Sequence, residues 1–178
     1  MYNIPNKLAP SRMREFRKKM KMSQAEFAAF VGVSRPTIER AEKSSELIVG
    51  PLAMLVNILA DNVDYIKTQE FPTKELPLRL FYMYDDKCCT LIDVDEANQQ
   101  IRIKNFVTNI NFLAFGANKN PSYEDYTEFL ESRCFPATRD KMKIQLEMLG
   151  LPFYDPLLII EKTNGRMAED NFWIKIER

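Results

Sequence analysis

Residues 23–42 read SQAEFAAFVGVSRPTIERAE. Ser23 followed three positions later by Glu26 is a capping box, so a helix starts there and runs through Phe27, Ala28 and Phe30 to Val31. Gly32 stops it, because the left-handed backbone that ends a helix is cheap only for glycine. Two residues on, Ser34 stands at the N-cap of another helix, from Arg35 to about Lys43, with Pro36 tolerated in its first turn. The spacing predicts two short helices joined by a tight turn.

Outward from this stretch the pattern stays helical. Pro10-Ser11 predicts a helix to about Met20 with Ser11 as its N-cap. Met13, Phe16 and Met20 form its apolar side, and the Arg and Lys residues take the other. A further helix starts at Gly50-Pro51 and carries Leu52, Leu55, Val56, Ile58 and Leu59. Thr68 to Pro77 holds two prolines, several charges and few apolar residues, and reads as a linker. The period then changes. Leu78–Tyr84, Cys88–Val94 and Gln100–Phe106 read as strands, with Ile101, Ile103 and Asn105 on one face. Ser122 to Asp125 is a second capping-box start, with Tyr126, Phe129 and Leu130 as its stripe. Helices follow from Thr138 to Leu149 and from Asp155-Pro156, and Phe172–Ile176 closes as a strand. The expected fold is α+β. An all-helical domain over 1–67 and a linker over 68–77 precede a small domain over 78–178, with a short antiparallel sheet and three or four helices.

Small Ala28 lets the two central helices approach, Gly32 makes the turn, and Val33 and Ile38 fill the space beneath. The second helix then stands proud, the geometry of a helix-turn-helix whose recognition helix enters a major groove. Ser23-Gln24, Ala28, Gly32-Val33-Ser34, Ile38 and Glu42 together resemble the Xre/Cro-type helix-turn-helix family of repressors and antitoxins. Gly50-Pro51-Leu52 is similar to its antitoxin branch with MqsA-like DNA-binding domains, and the likeness spans residues 8–62. The resemblance implies that Gln24 braces a phosphate and the recognition helix. Ser34, Arg35, Thr37 and Arg40 would then face DNA. An arginine there can pair bidentately with guanine. Arg12, Arg14, Arg17, Lys18 and Lys43 would meet phosphates. The sequence departs from the family at Pro36, at Ala41 and in the loop Lys43-Ser44-Ser45, which has no glycine.

Charge agrees with this division. Lys+Arg and Asp+Glu number 25 each, so the formal net charge is zero. Residues 1–60 hold ten basic and five acidic side chains, so this part carries +5 and the remainder −5. A basic module joined to an acidic one fits a polyanion at the first, or simply a solvated charged face. The resemblance makes the polyanion double-stranded DNA, and the acidic second part is expected to contact protein. A homodimer is expected on the DNA. The absence of histidine excludes Ser-His-Asp hydrolysis, HExxH zinc sites and Cys/His zinc fingers. The five glycines stand apart, so there is neither a GxGxxG turn nor a P-loop. Cys88, Cys89 and Cys134 contain no CxxC and read as idle thiols of a reducing cytosol. No cofactor, metal or enzyme activity is expected. No export signal is legible at the Lys- and Arg-rich start, and no apolar run reaches the ~18 residues of a membrane span. The expected setting is cytoplasmic, with no membrane.

In the second part, Phe129 to Arg139 (FLESRCFPATR) and Gly165 to Ile174 (GRMAEDNFWI) are the landmarks. The R-x-x-P-x-x-R spacing, then a helix, then D-x-x-W-I, resembles the non-catalytic segment preceding the kinase core in HipA-like kinases. The resemblance implies a docking domain for a partner such as a HipA-type kinase toxin. The residues alone also fit a second reading, in which Arg133, Arg139 and Asp170 tie one small fold together and Trp173 is core. Aromatic enrichment at interfaces makes Tyr123, Tyr126, Phe129, Phe153 and Tyr154, with Arg133 and Arg139, the candidate partner contacts. Asp93 and Asp95 face the same way on a strand, as a divalent-ion pair or as a strand end entering a loop. The leading expectation is an autoregulatory, antitoxin-like transcriptional regulator. The alternative is a phage-type inhibitor, for example of a defence nuclease, fused to an autoregulatory DNA-binding module.

Overall fold

The computed structural model of the chain describes residues 5–138 and 140–178. Two compact units emerge, Met1–Glu70 and Phe71–Arg178. Divided there, the asymmetry falls to +3 and −3, because Asp61, Asp64 and Glu70 join the first unit against Lys67 alone.

The first unit contains α1 (Pro10–Lys19), α2 (Gln24–Phe30), α3 (Arg35–Lys43), α4 (Pro51–Asp61) and α5 (Val63–Thr68). It is not purely helical: β1 (Lys7–Leu8) pairs antiparallel with β2 (Ile48–Val49). The buried Asn57 of α4 donates to the Pro5 and Lys7 carbonyls at 3.1 Å, which holds this strand pair down. Met13, Phe16, Phe27, Ala28, Ile38, Ala53 and Val56 build the core, and Phe16 meets Phe27 edge-on at 6.0 Å.

The expected turn forms as read. Ser23 Oγ accepts from the Glu26 amide at 3.2 Å, and Glu26 accepts from the Ser23 amide at 2.7 Å. Gly32 adopts φ +72° with open space where a side chain would stand. Its role is therefore conformational. The amides of Gly32 and Val33 reach back to the Ala29 and Ala28 carbonyls, a Schellman closure. Two caps differ from expectation. The α1 N-cap is Ala9, because Pro10 already occupies the first helical position and needs no amide partner. Ser34 is the α3 N-cap, but its hydroxyl lies 2.8 Å from that of Thr37 and caps no backbone amide.

The second unit is a four-stranded antiparallel sheet in the order β5-β4-β3-β6, from β3 (Leu78–Tyr84), β4 (Lys87–Asp95), β5 (Gln100–Asn105) and β6 (Phe172–Glu177). Helices α6 (Tyr123–Ser132), α7 (Met142–Leu149) and α8 (Pro156–Thr163) contribute to the core on one face with Leu80, Tyr82, Ile92, Val94 and Ile174. The α6 capping box of Ser122 and Asp125 is present. Helix α7 starts at Met142, not Thr138, after Lys141 in the left-handed region. The expected linker is not free chain: α5 extends to Thr68, and residues 71–75 lie on the sheet. Phe71 packs on Phe81 and Phe106 at 5.7 and 4.8 Å, and the Pro72 carbonyl accepts from Arg79 Nη1 at 2.9 Å.

Candidate nucleic-acid interface

Helix α3 is clamped at its back and bare at its front. Ile38 is fully buried under it. Glu42, in its last turn, stands where the helix dipole disfavours a carboxylate, so another interaction must hold it. Arg17 of α1 supplies that interaction. Its Nε and Nη2 donate to the two Glu42 oxygens at 2.6 and 3.0 Å, and its Nη1 donates to the Met22 carbonyl at 2.9 Å. Gln24 Nε2 donates to Glu42 at 2.9 Å, and Arg14 bonds the Glu42 backbone carbonyl. The Glu42 side chain is 3% exposed and that of Arg17 13%. The Arg17 bond holds the Glu42 carboxyl below its ordinary range, against the opposing pull of burial, with Gln24 and Arg14 adding to the effect.

This network corrects one expectation and sharpens another. Arg17 is no phosphate contact, because its guanidinium is spent on Glu42 and Met22. Gln24 does reach the recognition helix, through Glu42. Their junction was missed in the sequence; its one visible signal is a glutamate at a helix C-terminus in a segment full of arginines.

On the front of α3, Ser34, Arg35, Arg40 and Lys43 are exposed and Thr37 is half-exposed. Arg35 Nε donates to Glu39 at 2.7 Å one turn on, and Arg40 Nε approaches the Pro36 carbonyl at 3.4 Å. Arg14 and Lys18 are exposed on α1, and Arg12 pairs with Asp61 at 3.6 Å, both partners largely exposed. A pair this exposed is worth little and yields readily to a phosphate. The structure thus presents one helix with guanidinium, ammonium and hydroxyl groups outward, flanked by the cations of α1. The helix-turn-helix family model matches residues 13–47, from α1 to the turn after α3. The matched stretch of the N-terminal unit is similar to helix-turn-helix domains of the Xre type. No curated protein and no solved structure matches the chain.

Outside the helix-turn-helix, the expected partner contacts are mostly interior. Tyr126, Phe129 and Arg133 are buried at 1, 7 and 7% exposure, so these three are corrected to core. Arg133 donates to the Gly165 carbonyl at 3.1 and 2.8 Å, to both Asp170 oxygens at 2.6 and 3.0 Å, and to the Phe172 carbonyl at 3.0 Å. Arg133 and Asp170 therefore tie one fold together, as the second reading had it, but Trp173 is half-buried and not part of the core. Tyr123 is half-buried against Tyr126. Tyr154 is half-buried and donates to the Phe135 carbonyl at 3.0 Å. Arg139 lies outside the described residues. Trp173 donates to the Asp85 carbonyl at 2.6 Å, with Arg166 over its ring.

Asp93 and Asp95 have separate partners. Asp93 takes two 2.6 Å bonds from the buried Arg79, and Asp95 accepts from Asn98 in the following turn. Among the described residues no cluster of three acidic or thiol side chains suits a metal. Burial pushes the Cys88 and Cys134 thiols up to about 12, which leaves them protonated and unreactive at neutral pH. No helix among the described residues is long and apolar enough to cross a membrane.

Proposed function

We propose that the chain is a sequence-specific transcriptional regulator, autoregulatory and antitoxin-like, that binds duplex DNA as a homodimer. The observation that carries this is the outward row Ser34, Arg35, Thr37, Arg40 and Lys43 on a helix fixed from behind by Glu42. Such a helix enters a major groove with its side chains already aimed. Arg35 reads a base edge, and Arg12, Arg14, Lys18 and Lys43 set the register on phosphates.

The length of α3 argues for two copies. Nine residues make a helix of about 13 Å, which covers about four base pairs at ~3.4 Å each. A second copy one helical turn away doubles the information read. Helix α4 offers Leu55 and Ile58, one turn apart and exposed by 36 and 44%, and Leu47 and Val49 at β2 are exposed by 56 and 61%. This is apolar surface of the kind that pairs subunits. In the second unit the exposed large apolar side chains include Ile144 and Met148, one turn apart on α7, and Phe153. With Tyr126 and Phe129 interior, these three are the better surface for a partner protein.

Fluorescence anisotropy with the duplex upstream of the chain's own coding region tests the reading. Affinity is expected to fall steeply with salt. Arg35→Ala is expected to lose about 1–3 kcal/mol of discrimination against a scrambled duplex. Lys18→Ala is expected to weaken both duplexes alike and lower the salt slope by about one. Absence of binding at low salt refutes the proposal.

A further inference from the structure

The face of the sheet opposite the core carries two rows set by register. One runs Arg102, Asp93, Arg79, Glu177 across β5, β4, β3 and β6, and the next runs Lys104, Leu91, Phe81, Lys175. Residues 72–75 cross this face as a strap. Pro72 is held by Arg79, Lys74 donates to the Glu177 carbonyl at 3.1 Å, and Glu75 pairs with Arg102. Between strap and strands lies a cleft of about 310 Å³, lined by Pro72, Thr73, Glu75, Leu91, Asp93 and Arg102, with Ile103 and Lys104. That volume is at the lower edge of the roughly 300–1,000 Å³ of small-molecule sites.

We propose that this cleft binds a small organic oxyanion, a carboxylate or phosphate on an apolar body, which competes with Glu75 for Arg102. Three features support this chemistry. The buried carboxylate on the floor, Asp93, has both oxygens bonded by Arg79, so it does not repel an anion. Arg102 and Lys104 are two apart on one strand and share a face, with Cα atoms about 7 Å apart. Leu91, buried between them and Phe81, gives the apolar body its floor. The group now at Arg102 is itself a carboxylate, and both members of that pair are more than 60% exposed. A ligand oxyanion therefore replaces one exposed ion pair with another that can be bidentate. Because Glu75 belongs to the strap, occupancy loosens residues 72–75. The site is independent of DNA binding.

Calorimetric titration of the full chain with phenyl phosphate tests the site, with benzoate as the carboxylate counterpart. Saturable binding of phenyl phosphate at one site per chain is expected. Arg102→Ala is expected to weaken it at least tenfold. Glu75→Gln, which removes the competing charge at constant size, is expected to tighten it several-fold. Both positions are exposed, so both variants fold; thermal unfolding checks this. Amide exchange across residues 73–76 is expected to quicken when phenyl phosphate is bound. Absence of saturable binding, or affinity unchanged in Arg102→Ala, overturns the site. Affinity unchanged in Glu75→Gln, or exchange that does not quicken, overturns the competition. Binding of benzoate in place of phenyl phosphate would identify a carboxylate site and overturn the phosphate arm.

Discussion

Glu42→Ala is expected to destabilise the helix-turn-helix unit by about 3 kcal/mol, the lower end of what breaking a buried ion pair costs. The substitution removes the acceptor of two Arg17 bonds and one Gln24 bond. It strands a guanidinium that is 13% exposed with only the Met22 carbonyl as partner. Bonds to charged groups are worth about 1.5–3 kcal/mol each. The low end applies because Arg17 lies at the rim and can swing toward water. A unit of this size unfolds in urea with a slope of about 1 kcal/mol per molar, so its midpoint should fall by about 3 M. The single tryptophan, Trp173, lies in the other unit. Far-UV circular dichroism should therefore show the helical transition moving while tryptophan fluorescence stays in place. Arg17→Met with Glu42→Leu should cost less than Glu42→Ala alone, since no buried charge is left unpaired. A loss under about 1 kcal/mol for Glu42→Ala, or a double variant as costly as both single losses together, would refute the assignment of Glu42 as the anchor of α3.

Acid should act through the same group. The folded carboxyl titrates below its ordinary value of 4.5, so its contribution is present above that pH and drains as pH falls through the lowered folded value. Glu42→Gln should flatten the acid limb of the helix-turn-helix transition, read by dichroism melts across that range. Asp170, lowered chiefly by its bond from Arg133, predicts a separate acid limb in the second unit, visible in Trp173 fluorescence. Gly165→Ala should cost about 1–3 kcal/mol there. Its φ is +58°, and a Cβ would stand 3.3 Å from Ile174 Cδ1 and 3.4 Å from Arg133 Cβ. Gly32→Ala, with open space at φ +72°, should cost only the backbone part, about 1 kcal/mol; equal losses at the two glycines in urea titrations would contradict this. Ile58→Asp should convert the proposed dimer to monomer in sedimentation equilibrium, and an unchanged mass would move the interface elsewhere.

What the sequence determined by itself is local. The α2–turn–α3 segment is legible because a capping box, a left-handed glycine and a proline in a first turn act on the backbone within four or five residues. The strands are legible because alternation and turn residues are also short-range signals. The candidate DNA contacts on α3 follow from the helix-turn-helix resemblance, read onto that helix position by position. The tertiary structure decided the partnerships across long separations. Arg12, Arg14, Arg17 and Lys18 look alike in the chain, yet Arg17 alone is spent almost wholly on Glu42, 25 residues away. Arg133 and Tyr126 each read two ways, as interior or as partner contact, because nothing nearby in sequence decides which. Gly165, Asp170 and Phe172 supply the Arg133 partners from 32 to 39 residues on, and Tyr126 is enclosed by the core of its unit. Thr68 to Pro77 reads as free chain because its grip on the sheet is made of bonds to Arg79, Arg102 and Glu177. Charge and hydropathy report what a side chain is made of. Whether it meets water, a phosphate or another side chain depends on which distant element packs against it.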